Sequence, residues 1–317
     1  MPYDPGPFPE FSWSQTRRST FRECPRMYYY QYYASHRGWE KDAPEEAKVA
    51  YRLKQITNLH LLVGNVIHEL ASAAIMRARG GVDPPALDEL VESGRRRLNQ
   101  AWAQSQRRAE WELRPRALPM LHEFYYGSGP SGSLIAKIRD KLSTCLRGLL
   151  ESRSYREAIE APYVEVKETD RPDTFVLHGH KIYAQPDLLY RVGGGEYRLV
   201  DWKTGEEREG DVRQLRAYAV YFRHRADLES GPIIGCLEYL YTGGRQTAPI
   251  TEEGIDAEER AILDSMERMQ AYLVDADKNE PLPKSEFPIR TDTTACGSCK
   301  FYELDAEEIA AAPAGPF

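Results

Sequence analysis

The fold is decided by two short acidic motifs, Ala184-Gln185-Pro186-Asp187 and, after thirteen intervening residues, Asp201-Trp202-Lys203. Alternate side chains of a strand share a face, so Asp201 and Lys203 are expected to project together. The run Gly193-Gly194-Gly195 between the motifs is typical of a turn, which predicts a hairpin. This hairpin would bring Asp187 beside Asp201.

Two carboxylates that converge on one point repel each other unless a cation neutralises them. Hard divalent ions such as Mg²⁺ and Mn²⁺ prefer oxygen ligands of this kind. A lysine beside such an ion can orient a water molecule and offset the charge of an attacked phosphate. The alternative interpretation is that Asp187 and Asp201 are ordinary turn and strand-end residues of a surface hairpin.

The residues around these motifs alternate between helical and strand patterns, which predicts an α/β fold. Apolar residues recur at helical spacing on several segments: 14–35, 48–79, 86–113, 133–153, 211–226 and 256–276. Short β-type runs lie between them: 163–167, 174–178, 181–184, 197–201 and 235–241. We predict a central mixed β-sheet flanked by helices in a single domain, 1–317. A helical insertion is expected at about 80–155 and a C-terminal tail at about 280–317.

The composition is that of a soluble globular protein, with 41% hydrophobic and 29% charged residues among 317. It excludes collagen, long coiled coils and a wholly disordered chain. A net charge of −7 excludes a generic polyanion binder, so any basic surface must be local. No apolar run approaches the ~18 residues needed to span a bilayer, and residues 1–5 do not resemble a signal peptide. We therefore expect a cytoplasmic protein that makes no contact with membranes.

Five motifs in a fixed order resemble the PD-(D/E)XK phosphodiesterase superfamily. The closest resemblance is to its RecB-type branch, which includes the RecB and AddB nuclease domains and the CRISPR adaptation exonucleases. The motifs are Phe11-Ser12-Trp13-Ser14 with Cys24-Pro25-Arg26, then Gly64-Asn65-Val66-Ile67-His68, Pro186-Asp187, Asp201-Trp202-Lys203, and Gln214-Leu215-Arg216-Ala217-Tyr218. The resemblance implies a restriction-endonuclease-like core.

The resemblance also implies roles for individual residues. His68, Asp187, Asp201 and the backbone carbonyl of Trp202 would hold Mg²⁺ or Mn²⁺. Asp187, Asp201, Lys203, Gln214 and Tyr218 would form the catalytic set, with Lys203 assisting the nucleophile. The alternative is that His68 is a core histidine and that Gln214 and Tyr218 are ordinary helix-packing residues.

The cysteines suggest a second site. Cys24, Cys296 and Cys299 match three ligand positions of the iron–sulfur branch of this superfamily, in which four cysteines hold a 4Fe–4S cluster. The fourth position falls near Asp305, so the cysteine set is incomplete and Asp305 is a doubtful ligand. A zinc site and free thiols are the alternatives.

Arginines near the N-terminus are interleaved with aromatic residues, as in proteins that bind single-stranded DNA. They are Arg17, Arg18, Arg22 and Arg26. The alternative is a solvated helix face.

The resemblance implies a metal-dependent DNA nuclease, and the lack of a recognisable sequence-reading module favours an exonuclease on single-stranded or frayed ends. It would serve DNA repair, recombination or anti-phage and CRISPR-type defence. No phosphate-loop motif of a helicase is present, so unwinding would require a helicase or defence partner. The alternatives are a catalytically silent DNA-binding or scaffold subunit of a helicase–nuclease complex, and a structure-directed endonuclease.

Overall fold

The computed structural model describes residues 6–167, 173–208, 210–225, 227–229, 231–290 and 296–311. The chain divides into two compact units, of which the first comprises Met1–Thr57, Gln104–Gly127 and Leu263–Phe317, and the second Asn58–Ala103 and Ser128–Ile262. The predicted helical insertion at about 80–155 contributes to both units, its middle to the first and its flanks to the second, and its status as an insertion stays a prediction. The expected tail belongs to the first unit, and its residues 291–295 and 312–317 lie outside the described residues.

The elements of the described residues are named here in chain order. The helices are α1 (Gln15–Glu23), α2 (Pro25–Tyr29) continued by a π-helix (Tyr30–Ala34), α3 (Glu45–Lys54), α4 (Leu59–Arg79), α5 (Leu87–Ser105), α6 (Arg108–Leu113), α7 (His122–Tyr125), α8 (Gly132–Glu151), α9 (Arg153–Glu160), α10 (Asp211–Arg223), α11 (Glu252–Gln270) and α12 (Tyr302–Ala311). The strands are β1 (Ser12–Ser14), β2 (Ile56–Thr57), β3 (Met120–Leu121), β4 (Tyr163–Val166), β5 (Thr174–Leu177), β6 (His180–Tyr183), β7 (Leu188–Arg191), β8 (Tyr197–Lys203), β9 (Ile233–Tyr239), β10 (Gly244–Pro249), β11 (Leu273–Asp275) and β12 (Glu280–Pro281).

The second unit is built on a five-stranded sheet of order β10-β9-β8-β7-β4. Strands β8 and β9 are parallel and the other neighbouring pairs are antiparallel, so the sheet is mixed. Helix α10 packs on β8 and β9. The predicted α/β class with a mixed sheet is confirmed.

Strand β7 was not among the β-type runs predicted from the sequence. Asp187 precedes β7, and β7 pairs with β8 in the register Leu188↔Val200. Leu188, Leu189 and Tyr190 are all fully buried, so the strand has no polar–apolar alternation by which to recognise it. The hairpin turn uses Gly194 and Gly195, whose φ values of +95° and +90° favour glycine.

Two helices of the second unit are deeply packed. In α8, a Cβ added to Gly148 would lie 2.1 Å from the carbonyl oxygen of Leu240, just after β9, so only glycine permits this approach. In contrast to the sequence-based expectation that no segment could span a bilayer, helix α4 is long and apolar enough to do so by length and composition, and it is the one such helix among the described residues. Eight of its residues are buried, as in the core helix of a folded domain.

The first unit has its own aromatic core, which includes Tyr30, Leu53, Trp111, Met120 and Phe301. The helix expected over 14–35 is broken because Cys24 is extended and Pro25 begins a new helix at its first position. Strands β2 and β3 pair in parallel within this unit.

Candidate active site

The predicted catalytic residues surround one cleft of about 530 Å³ in the second unit. Its lining includes His68 from α4, Asp187 just before β7, Asp201 and Lys203 from β8, and Gln214 from α10. Tyr218 lies one helical turn beyond Gln214 and is buried. The structure thus brings together residues that are far apart in the chain.

Asp187 is held by the backbone of the neighbouring strand. Its Oδ2 accepts a hydrogen bond of 3.0 Å from the backbone N–H of Trp202. Its Oδ1 lies 3.7 Å from Nζ of Lys167, and its backbone carbonyl accepts from the Lys167 N–H at 3.1 Å. Because β7 and β8 are adjacent, this carboxylate faces the Asp201–Lys203 end of β8.

His68 reaches the carboxylates from α4. The Asn58 side chain caps the start of this helix by accepting from the Leu61 N–H at 2.9 Å. One turn before His68, a Cβ on Gly64 would lie 3.4 Å from Oγ1 of Thr204, so this turn of the helix lies close to the residue that follows β8. Nδ1 of His68 lies 3.2 Å from Oδ2 of Asp187.

The charges of this cluster shift one another's pKa values. Burial raises the pKa of Asp201 to about 7, and the negative charge of Asp187 adds to the rise while Lys203 opposes it. Burial also acts to raise the pKa of Asp187, but His68 and Lys167 outweigh it and lower the pKa. The pKa of His68 is raised, because Asp187 and Asp201 outweigh the opposite effect of burial. Asp201 is therefore the carboxylate that resists ionisation.

Lys203 is oriented by a chain of polar contacts. Its Nζ contacts Oδ2 of Asp201 and donates a 2.5 Å hydrogen bond to Oε1 of Gln214. Nε2 of Gln214 donates in turn to the hydroxyl of Tyr218. Asp211 Oδ1 lies 3.9 Å from the same ammonium. Gln214 and Tyr218 thus position Lys203.

The donor set fits a divalent cation. Nδ1 of His68 and Oδ2 of Asp201 are both buried, and each contacts one charged neighbour, Oδ2 of Asp187 and Nζ of Lys203 respectively. The remaining donors are carboxylate oxygens, which hard cations prefer. Among the described residues, no three His, Cys, Asp or Glu side chains form a ready-made metal cluster. Asp201 instead contacts Lys203, and Asp187 contacts His68. His68, Asp187 and Asp201 would hold the ion by exchanging these contacts for it. The predicted role of the Trp202 carbonyl stays a prediction.

Glu238 is a residue that the sequence reasoning missed. It is 4% exposed on β9, directly opposite Trp202 in the parallel register. Its carboxylate accepts from Nε1 of Trp202 at 3.3 Å and from Nε of Arg245 at 3.1 Å. It also accepts from the N–H and Oγ of Ser154 at 3.1 and 2.9 Å, and from Oγ of Ser152. Glu238 therefore ties the Trp202 ring to the start of α9. The only sequence signal was a glutamate inside an apolar strand.

The three predicted cluster cysteines are free and lie in the first unit. Sγ of Cys24 accepts from the Met27 N–H at 3.4 Å, and Sγ of Cys296 donates to the carbonyl oxygen of Arg290 at 2.8 Å. Burial raises the pKa of Cys299 to about 11, and Cys24 and Cys296 lie close enough to add to the rise. At Cys299 the thiol is thus favoured over the thiolate, the form that ligates clusters.

Asp305, the doubtful fourth ligand, has other partners. Its Oδ1 accepts from Nη1 of Arg26 at 2.8 Å and from the hydroxyl of Tyr30 at 2.7 Å. Both charged side chains are buried. This pair joins α2 to α12 within the first unit, which is a structural role, and the iron–sulfur site stays a prediction.

The N-terminal arginines differ in their surroundings. Arg26 is bound to Asp305, and Arg17 is 3% exposed, with hydrogen bonds to Tyr28 and Ser12. Arg17 also stacks 4.4 Å from the centroid of the Tyr32 ring. Arg17 and Arg26 are thus enclosed by internal partners, and the predicted contact of the four arginines with DNA stays a prediction. Arg22 is exposed and Arg18 is half-buried.

Comparison with known proteins agrees with the arrangement of residues in the cleft. No curated protein matches the chain. The family model of the PD-(D/E)XK nuclease superfamily matches residues 12–304, which include every motif of the cleft. The chain therefore belongs to the PD-(D/E)XK nuclease superfamily.

Proposed function

We propose that this protein is a divalent-metal-dependent DNA nuclease that removes nucleotides from single-stranded or frayed ends during repair, recombination or defence. The observation that carries the proposal is the meeting of His68, Asp187, Asp201 and Lys203 in one cleft. Members of the superfamily are nucleases. A site that had lost its activity would have no physical reason to keep two buried carboxylates together. The same observation disfavours a catalytically silent scaffold subunit.

The chain's own residues perform distinct tasks in this reaction. His68, Asp187 and Asp201 bind the divalent ion, which supplies charge neutralisation and a more acidic water when bound. Lys203, held by Gln214 and Tyr218, presents a positive charge next to the phosphate and orients the attacking water. The buried Trp202, fixed by Glu238, keeps Asp201 and Lys203 at their spacing on β8.

Cleavage without a preferred sequence is supported by what surrounds the cleft, and the action at DNA ends is the part of the proposal that the experiment below tests. The described part of the chain contains no helix-turn-helix or zinc-finger module that would read bases. The cleft lining is instead mixed in charge, with Lys141, Lys167 and Arg208 beside the acidic cluster. Such cations suit the sugar–phosphate backbone, which is the same in every sequence.

The test is cleavage by the purified chain without any partner. Linear single-stranded DNA, blunt duplex DNA, circular single-stranded DNA and RNA are incubated with Mg²⁺, Mn²⁺ or EDTA. We expect metal-dependent loss of the linear single strand and survival of the circle. Asp201→Ala and Lys203→Ala should each abolish the activity, while Asp264→Ala on the exposed face of α11 should not.

Three results would contradict parts of the proposal. Full activity in both Asp201→Ala and Lys203→Ala would remove the assigned site. Cutting of the circle would make the enzyme an endonuclease. A folded wild-type chain that binds DNA but cleaves nothing with either metal would favour the scaffold subunit.

A further inference from the structure

A second cleft, of about 670 Å³, lies in the first unit. One wall is the loop that leads into α3, together with side chains of α3. The other wall is the C-terminal end of α6 and the turn after it. The lining residues are 38–41, Lys48, Tyr51, Arg52 and 112–117. None of them belongs to the motifs of the active site.

The acidic side chains of this cleft are already neutralised. Glu40 pairs with Arg37 at 2.8 Å, and Glu112 pairs with Arg108 at 2.9 Å. Neither arginine is part of the lining. The acids therefore leave little negative potential inside the cleft.

The cationic side chains, in contrast, are in excess. Arg52 has an acidic partner, Glu45, at 3.3 Å. Lys41, Lys48, Arg114 and Arg116 have no acidic partner among the described residues. Three of these four are exposed and Lys48 is half-buried. In a protein of net charge −7, this is a local concentration of unneutralised positive charge.

An exposed tryptophan stands at the same cleft. Trp39 is 51% exposed, and its ring centroid lies 5.7 Å from that of Tyr51 and 5.7 Å from that of His36. A Cβ added to Gly38 would lie 2.1 Å from the Ala47 carbonyl oxygen, so the loop rests directly on α3. Trp39 is thus a large aromatic side chain held in place yet half open to solvent, which exposes apolar surface at a cost.

We propose that this cleft binds a single strand of DNA, with Trp39 stacking on a base and Lys41, Arg114 and Arg116 pairing with phosphates. Its volume is far larger than one phosphate requires, and its charges are spread over both walls. A polyanion that also carries flat rings matches both the spread of positive charges and the exposed tryptophan. The proposal rests on the proposed function in its choice of DNA as the polyanion.

The test measures equilibrium binding of a fluorescein-labelled oligothymidine by anisotropy in EDTA, across a series of salt concentrations. Trp39→Ala should weaken binding about tenfold through the lost stacking. The double variant Arg114→Ala/Arg116→Ala should reduce the slope of log affinity against log salt by roughly 1.4, because two phosphate contacts are lost. The double variant Arg260→Ala/Arg268→Ala on α11 is the charge-matched control and should bind like wild type.

Phosphodiester cleavage is measured separately through hydrolysis of thymidine 5′-(p-nitrophenyl phosphate), a small diester that contains a single nucleotide. Unchanged hydrolysis together with weakened oligothymidine binding in the cleft variants supports the proposal. If the wild type hydrolyses nothing, the proposed function fails. Weakened oligothymidine binding in the cleft variants would still support the DNA-binding role of this cleft. Wild-type affinity and salt slope in the cleft variants would overturn it. The proposal would also be overturned if the cleft variants lost binding to a labelled oligoglutamate peptide but kept binding to the oligonucleotide. The partner would then be an acidic protein segment.

Discussion

Replacing Asp201 by Asn is expected to stabilise the metal-free protein at pH 8 and to abolish its stabilisation by Mn²⁺. Asp201 is 3% exposed and shares its site with the negative charge of Asp187. Without a metal, the folded state must keep both carboxylates ionised at this pH. The amide of asparagine has nearly the same size and removes one of these charges.

The size of the effect follows from the pKa of Asp201, which rises from 3.8 to about 7. A shift of about 3 units corresponds to roughly 4 kcal/mol, the upper bound of the gain. Lys203 already opposes this rise in the pKa, so its lost contact is counted within that bound. A gain of about 2 kcal/mol, below the bound, is expected. The folded state binds the Asp201 proton more tightly than the unfolded state does. The penalty therefore appears as pH rises above 3.8 and is complete above 7, so the gain should be clearly smaller at pH 5 than at pH 8.

The assay is urea unfolding in EDTA at pH 8 and pH 5, repeated with Mn²⁺. At ten times its dissociation constant, Mn²⁺ should add about 1.4 kcal/mol to the wild type and nothing to the variant. Asp264→Asn, an exposed substitution on α11, is the control and should change neither value. A variant that is less stable than wild type in EDTA at pH 8, or that Mn²⁺ still stabilises, would refute the reasoning.

Four further substitutions test separate parts of the structure. Lys203→Met should lower kcat for DNA cleavage by roughly 10²–10⁴-fold while Mn²⁺ still raises Tm, and a loss of the metal effect would speak against its assigned role. Glu238→Ala leaves the buried donors of Trp202 and Ser154 unpaired and should cost roughly 3 kcal/mol in urea unfolding; an unchanged midpoint would argue against this network. Gly148→Ala should destabilise the protein by about 1–3 kcal/mol, since its Cβ meets a backbone oxygen, and an unchanged Tm would mean that α8 shifts freely. Arg26→Met should cost about 3–5 kcal/mol by isolating the buried Asp305 carboxylate, and a neutral result would contradict the buried pair.

The parts of the site that could be predicted from sequence are those governed by short-range rules. Asp201 and Lys203 share a strand face by the two-residue repeat, and a glycine turn returns the chain so that Asp187 lies beside them. The ordered motifs that resemble the superfamily added His68 and Gln214, which no local rule connects to the strands. The mixed α/β class followed from the alternation of helical and strand patterns.

The parts that could not be predicted depend on tertiary burial. Arg17 and Arg26 look like surface cations in the sequence, but internal partners bind both, and burial is not visible in charge spacing. Glu238 lies in a strand whose other residues are mostly apolar. The groups that donate hydrogen bonds to its carboxylate come from α9, about 84 residues earlier in the chain. Strand β7 was missed because its side chains are buried on both faces.

The first unit is assembled from the beginning, the middle and the end of the chain. During synthesis its last segment leaves the ribosome only after every residue of the second unit has been made. Until then Arg26 and Tyr30 have no Asp305 to meet, and the aromatic core lacks Phe301. By then every residue of the second unit, including those of the proposed active-site cleft, has been synthesised. A chain interrupted before Asp305 would thus carry the whole second unit but an incomplete first unit, whose aromatic residues lack their partners and make it a target for cellular proteases.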